Sequence, residues 1–198
     1  MNEHPSVQQY VIGFIERYVD DLRRLVIHPY NFFKAQRGAS GFLEPTLFAA
    51  ASILIPALFY ALWLAPFTLG LSLIFVIPGV FYGICTLLIS TIVLYGIVRC
   101  CGGEGDFESV YRSVAYSGAA FYLWLIPIPF VNLLLFAAAF CALLYLSLRE
   151  MQGLTPRKAA LILLFPAFLI LPQGVILSYA AFWLVFRGFF HLLHYFGA

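Results

Sequence analysis

Three long stretches of this chain, 45–98, 113–148 and 159–186, contain no Asp, Glu, Lys or Arg. About 20 apolar residues of helix cross the hydrocarbon core of a bilayer. The first two stretches, of 54 and 36 residues, therefore hold two crossings each, and the third, of 28, holds one. The pattern predicts an all-α fold: a polytopic membrane helix bundle with five transmembrane helices. Only 10% of the residues are charged, against roughly 25% in soluble domains, which excludes a water-exposed globule. The net charge of +2 is too small to point to nucleic acid. Residues 1–20 lack an apolar h-region and carry Glu16 and Asp20, so the first span is expected to be the insertion signal and to stay.

The loop charges orient the bundle. Arg17, Arg23, Arg24, Lys34, Arg37, Arg99, Arg112, Arg149, Arg157 and Lys158 all fall on one side, as do all nine acidic residues; Arg187 alone lies beyond. That side is expected to be cytoplasmic, with the N-terminus in the cytoplasm and the C-terminus outside. A second layout stays open, because Pro172-Gln173-Gly174 interrupts the last apolar run. A chain turning back there returns its C-terminus to the cytoplasm. Against it, 159–171 gives roughly 20 Å of helix, short of the roughly 30 Å core.

Two parts are expected: a cytoplasmic N-terminal segment, 1–44, and a five-span transmembrane domain, 45–198. In the first, Tyr10, Phe14, Tyr18, Leu22 and Leu25 recur at helical spacing opposite Glu16, Arg17, Asp20, Arg23 and Arg24. This is an amphipathic N-terminal helix ended by Pro29. Its three acidic and three basic residues cancel, whereas a helix built to grip anionic lipid is basic. Its apolar face is expected on the membrane interface, on a partner, or packed as a lid on the protein itself. His28 to Lys34 reads as an interfacial elbow with Tyr30, Phe32 and Phe33 at headgroup depth, followed by a flexible link at Gly38 and Gly41. The spans are read as 46–66, 74–98, 107–126 and 130–148, with a fifth that starts after Thr155 as N-cap and Pro156 at N1. Pro56 is expected to kink the first, and Gly79-x-x-x-Gly83 to make a close-packing face in the second. Asp106 is expected to cap the third, with Glu108 favoured in its first turn and Arg112 snorkelling to the surface.

No residue set here forms a catalytic motif. His191 and His194 stand at i, i+3 without a third ligand, Cys100 and Cys101 have no zinc spacing, and the glycines of 102–105 precede no Lys-Ser/Thr. No enzyme activity, cofactor or metal is expected. Cys100 and Cys101 read as reduced juxtamembrane thiols, with S-acylation as the sharper alternative. A transport reading exists: broken helices at Pro172-Gln173-Gly174, with Gln173, Asn132 and Tyr116 lining a polar path for a small solute or lipid. Against it, no carboxylate or histidine lies within a span.

A family resemblance appears in three places. His28-Pro-Tyr-Asn-Phe-Phe-Lys34, followed by Gly41 and Pro45, resembles the opening of the Yip family, small membrane proteins whose eukaryotic members interact with Rab GTPases. Gly102-Gly103-Glu104-Gly105-Asp106-Phe107-Glu108, leading to Val114-Ala115-Tyr116-Ser117, is similar to its cytoplasmic loop and third-helix start. Leu148 to Ala159, with Arg149, Glu150 and Gly153, is similar to its fourth-to-fifth-span loop. The likeness runs from about residue 25 to 170 and is nearest the prokaryotic type. It implies five spans, a cytosolic N-terminus and an outer C-terminus, and, through the prokaryotic type, the cytoplasmic (inner) membrane of a bacterium as the setting. It also implies a non-enzymatic role in trafficking and membrane shaping. The working expectation is a protein that organises membrane or partner proteins through Gly102, Gly103, Asp106, Phe107, Glu108, Tyr116, Arg149, Glu150 and Gly153. Its expected partners are the lipid bilayer, a second copy or other membrane proteins, and an unidentified cytosolic protein. Arg149 and Glu150 are expected to pair with Asp106 and Arg99 across the loops.

Overall fold

The structure is a computed structural model that describes residues 7–68, 70–74, 76–126, 128 and 131–164. All regular structure among the described residues is helical. The order is α1 (Val7–Ile27), α2 (Pro29–Gln36), α3 (Leu43–Thr68), a short α4 (Leu71–Ile74), α5 (Val76–Cys100), α6 (Phe107–Ser117), a 3-10 helix (Gly118–Leu125) and α7 (Val131–Gln152). Residues 156–164 are also helical.

Three of these helices are long and apolar enough to cross a membrane: Leu43–Pro66, Ser72–Cys100 and Val131–Gln152. Their outer faces leave large side chains open, among them Leu62 and Trp63 on α3, Phe81 and Ile89 on α5, and Leu134 on α7. Large apolar side chains exposed together mark contact with lipid or another partner. The segment read as the third span is α6, of 11 residues, continued by the 3-10 helix, of 8, and it is not among these three. Every residue from 111 to 120 is buried in protein, between α3, α5 and α7. A rod that meets protein all round can carry Ser113, Ser117 and Arg112, which lipid would penalise. The two serine hydroxyls donate back to the carbonyls of Ser109 (3.0 Å) and Ser113 (2.7 Å), which satisfies them within the helix. The fifth span, with Pro172, Gln173, Gly174 and Arg187, and the tail histidines His191 and His194 lie outside the described residues, apart from the helical start at 156–164.

The ends of these elements follow their sequence signals. Asp106 caps α6, accepting from the Ser109 backbone N–H at 2.8 Å, so one otherwise orphan donor of the first turn is satisfied. The Thr155 carbonyl accepts from the Ala159 N–H at 3.0 Å, opening the helix with Pro156 in its first position. α3 stays one helix through Pro56 and Pro66. Of the Gly79 and Gly83 pair, only Gly83 is a contact point: Ile53 of α3 comes within 3.0 Å of where its Cβ would stand. Gly79 has open space.

One face of each N-terminal helix packs into the core. Phe32 and Phe33 are buried, and Phe32 meets Tyr116 edge-on at 4.9 Å between centroids. The expected interfacial elbow is therefore a correction: only Tyr30 of the three aromatics is exposed. The surrounding apolar cluster joins Tyr18 and Leu25 of α1 to Phe48, Tyr116 and Met151. The expected flexible link at Gly38–Gly41 is a second correction. The Gly41 N–H donates to Glu108 Oε1, and Arg112 donates to the carbonyls of Ala39 and, at 3.1 Å, of Gly41.

Candidate functional site

At the end of the bundle where α5 hands over to α6, two loops interlock. The 101–106 loop turns at Gly102 and runs beside the end of α7. The Gly103 N–H donates to the Val98 carbonyl at 2.9 Å, and the Glu104 N–H donates to the Gln152 carbonyl at 3.1 Å. Gly153 ends α7 with φ +65°, a left-handed conformation that glycine adopts without a Cβ penalty. That turn brings its backbone alongside the Glu104 carboxylate.

Gln152 is the pin between the loops. Its side chain is fully buried, and its Nε2 donates to Ser109 Oγ at 2.8 Å. Gly105 passes so close that a Cβ there would overlap Gln152 Oε1. A side chain at 105 would therefore make the Gln152 amide, whose Oε1 has no hydrogen-bond partner here, move aside. From the following helix, Lys158 Nζ donates to the Cys101 carbonyl at 2.7 Å. Phe107 sits between Tyr95 and Phe42, at 5.6 and 6.2 Å between ring centroids.

The pairing expected of Arg149 and Glu150 is corrected. They bind each other, Nε to Oε1 at 3.1 Å, because adjacent side chains at the last turn of α7 reach each other first. Arg99 instead donates to Tyr95 Oη at 3.1 Å, one turn back, and Asp106 is spent on its cap. The outermost charge is Glu104, 3.9 Å from Arg37; such exposed pairs contribute little energy and leave both groups available.

The proposed site residues thus divide. Gly102, Gly103, Asp106, Phe107 and Glu108 follow one another through the loop into α6 and Gly153 lies against Glu104, while Arg149 and Glu150 stand in the last turn of α7 paired with each other. Tyr116 does not join them, being buried between Phe32 and Phe48. Nor does Tyr116 meet Asn132. Asn132 donates to Tyr60 Oη at 3.4 Å, and Tyr60 lies 12 residues, about 18 Å of helix, beyond Phe48. Sequence reasoning missed Gln152, Gly105, Lys158 and Arg37. Nothing local in the sequence marks Gln152, which follows the charged pair Arg149-Glu150 and is singled out only by its burial and its bond to Ser109. Among the described residues no group of three or more His, Cys, Asp or Glu could hold a metal ion.

The ordered pieces that resembled the Yip family lie together here, and the family comparison covers them. The family model described as the Yip1 domain matches residues 23–178. The chain belongs to the Yip1 domain family. The matched Yip1 domain begins inside α1 and takes in both interlocked loops. No curated protein and no solved structure matches the chain.

Proposed function

We propose that this Yip1 domain protein is a non-catalytic, five-span organiser of the cytoplasmic membrane, which gathers partner or membrane proteins on its cytoplasmic loop surface. The observation that carries the reading is the set of ties that fixes the 101–106 loop against the 153–155 turn and the helices beside it: Glu104 N–H to the Gln152 carbonyl, Lys158 Nζ to the Cys101 carbonyl, and Gln152 Nε2 to Ser109 of α6. Loops that only connect spans need no such ties, whereas a docking surface needs a fixed shape. In this reading the N-terminus is cytoplasmic, the C-terminus is outside, and Glu104, Arg37 and Arg149 present mixed charge to a cytosolic or membrane partner.

The test is in-cell photocrosslinking from position 104 or 149, with lipid-facing Ile89 as control. A discrete protein adduct from the loops, lost on Glu150→Ala while thermal stability is kept, supports the organiser. Adducts no different from those at Ile89 end it. A compartment-specific reporter fused after Ala198 reads the layout: activity outside is expected, and activity only in the cytoplasm overturns the five-span arrangement.

A further inference from the structure

The apolar sector of α1 is wider than the protein covers. Tyr18 and Leu25 are buried against the bundle, but Ile12 (49%), Ile15 (53%), Val19 (56%) and Val26 (70%) stand open along an adjacent stripe. We propose that this stripe is a lipid-facing wedge, seated in the phospholipid leaflet at which α3 begins. The inference requires only that α3 crosses the bilayer; it does not rest on the organiser reading above.

Two contacts fix the direction and depth of the stripe. Arg17 pairs at 3.6 Å with Glu44, in the first turn of α3, so the Arg17 side of α1 faces the water end of that span. At about 100° per residue, Ile15 and Val19 lie about 160° round α1 from Arg17, Ile12 about 140° and Val26 about 180°. The stripe therefore faces down the span, towards the acyl chains. Tyr18 gives the depth. Its hydroxyl bonds Ser52 Oγ at 3.1 Å and the Tyr122 hydroxyl, and its ring packs on Phe48 at 5.0 Å. Ser52 lies nine residues beyond Leu43, about 13 Å down the axis of α3. The tie holds α1 alongside the first turns of α3, where Leu47 and Leu54 are themselves exposed.

Charge favours a neutral lipid surface as the occupant. Glu16, Asp20 and Asp21 cancel Arg17, Arg23 and Arg24 on α1, so burial of apolar area supplies the affinity, without attraction to anionic headgroups. A wedge in one leaflet enlarges that leaflet alone, which bends the sheet towards the other.

The full-length protein, with its four cysteines replaced and a single cysteine at position 19 or 24, is labelled with bimane and placed in phosphatidylcholine vesicles. Unchanged gel filtration and melting confirm each variant. The label at 19 is expected to be quenched severalfold more by doxyl-lipid than the label at 24, and severalfold less by aqueous iodide, with no change in high salt. Equal iodide access at both positions overturns the proposal. Shielding of position 19 from both quenchers also overturns it, since protein then covers the stripe. If the cysteine-free chain does not fold, the unmodified chain is irradiated with diazirine-tailed phosphatidylcholine. Adducts on 12–26 are expected; labelling of α3 and α5 without them overturns the wedge.

Discussion

Arg112 Nη2 lies 2.7 Å from Glu108 Oε1, one turn earlier on α6, and the guanidinium is almost wholly sealed from water at 2% exposure. The same Nη2 also donates to the Gly41 carbonyl, and Nη1 donates to that of Ala39. The pair is thus less a surface ion pair than a clasp holding the entry to α3 against α6.

Removing one partner of a buried pair strands the other. Arg112→Ala is expected to cost about 3 kcal/mol, read as a fall in melting temperature in mild detergent. Arg112→Lys is expected to recover little, because one ammonium cannot replace a planar fork that serves three acceptors. A melt unchanged from the native chain for Arg112→Ala refutes the clasp.

The Gly105 and Gln152 contact predicts a paired effect. Gly105→Ala forces the Gln152 amide aside and breaks its bond to Ser109, at a cost of about 1–3 kcal/mol. Gln152→Ala in the same chain makes room for the added methyl. A double-mutant cycle is expected to show coupling between the two sites; additive losses would show that the approach is harmless.

Asp21 predicts a pH dependence. Burial, then the neighbouring charges of Asp20 and Glu44, raises its pKa above the ordinary 3.8. A carboxyl with a raised folded pKa penalises the folded state wherever it is ionised, so the penalty is full at neutral pH and fades as pH falls through the raised value towards 3.8. Asp21→Asn should therefore melt higher than the native chain at pH 7, and the gap should close on acidification. A gap that widens in acid has the wrong sign.

Asn132 separates the organiser from a carrier. Its Oδ1 is buried without a hydrogen-bond partner, and such a group costs stability. Asn132→Leu is expected to leave the melt unchanged or raise it by about 1 kcal/mol, with loop crosslinking intact. Loss of crosslinking in a folded Asn132→Leu protein would tie that end of the bundle to function.

Local signals were legible in the sequence. Asp106 ahead of Phe107, and Thr155 ahead of Pro156, announce helix starts through backbone chemistry that depends on near neighbours alone. The long apolar helices are legible for the same reason. What sequence could not assign is which apolar or charged face meets protein. Phe32 and Phe33 are as greasy as a headgroup anchor, and only Tyr116, 84 residues after Phe32, makes them core. Arg112 at a membrane border reads as a snorkelling cation until the Ala39 and Gly41 carbonyls are brought to it. At the candidate site, the glycines and Asp106 were readable, whereas Gln152 draws its meaning from Ser109, 43 residues away.

The clasp also imposes an order on biogenesis. The Gly41 carbonyl leaves the ribosome 71 residues ahead of Arg112, so α3 and α5 are made while the approach to α3 is still untethered. Only when α6 is threaded between them does the guanidinium arrive to fasten it. Chains stalled before that residue would hold two inserted helices and a loose leader, the species that quality-control proteases are placed to find.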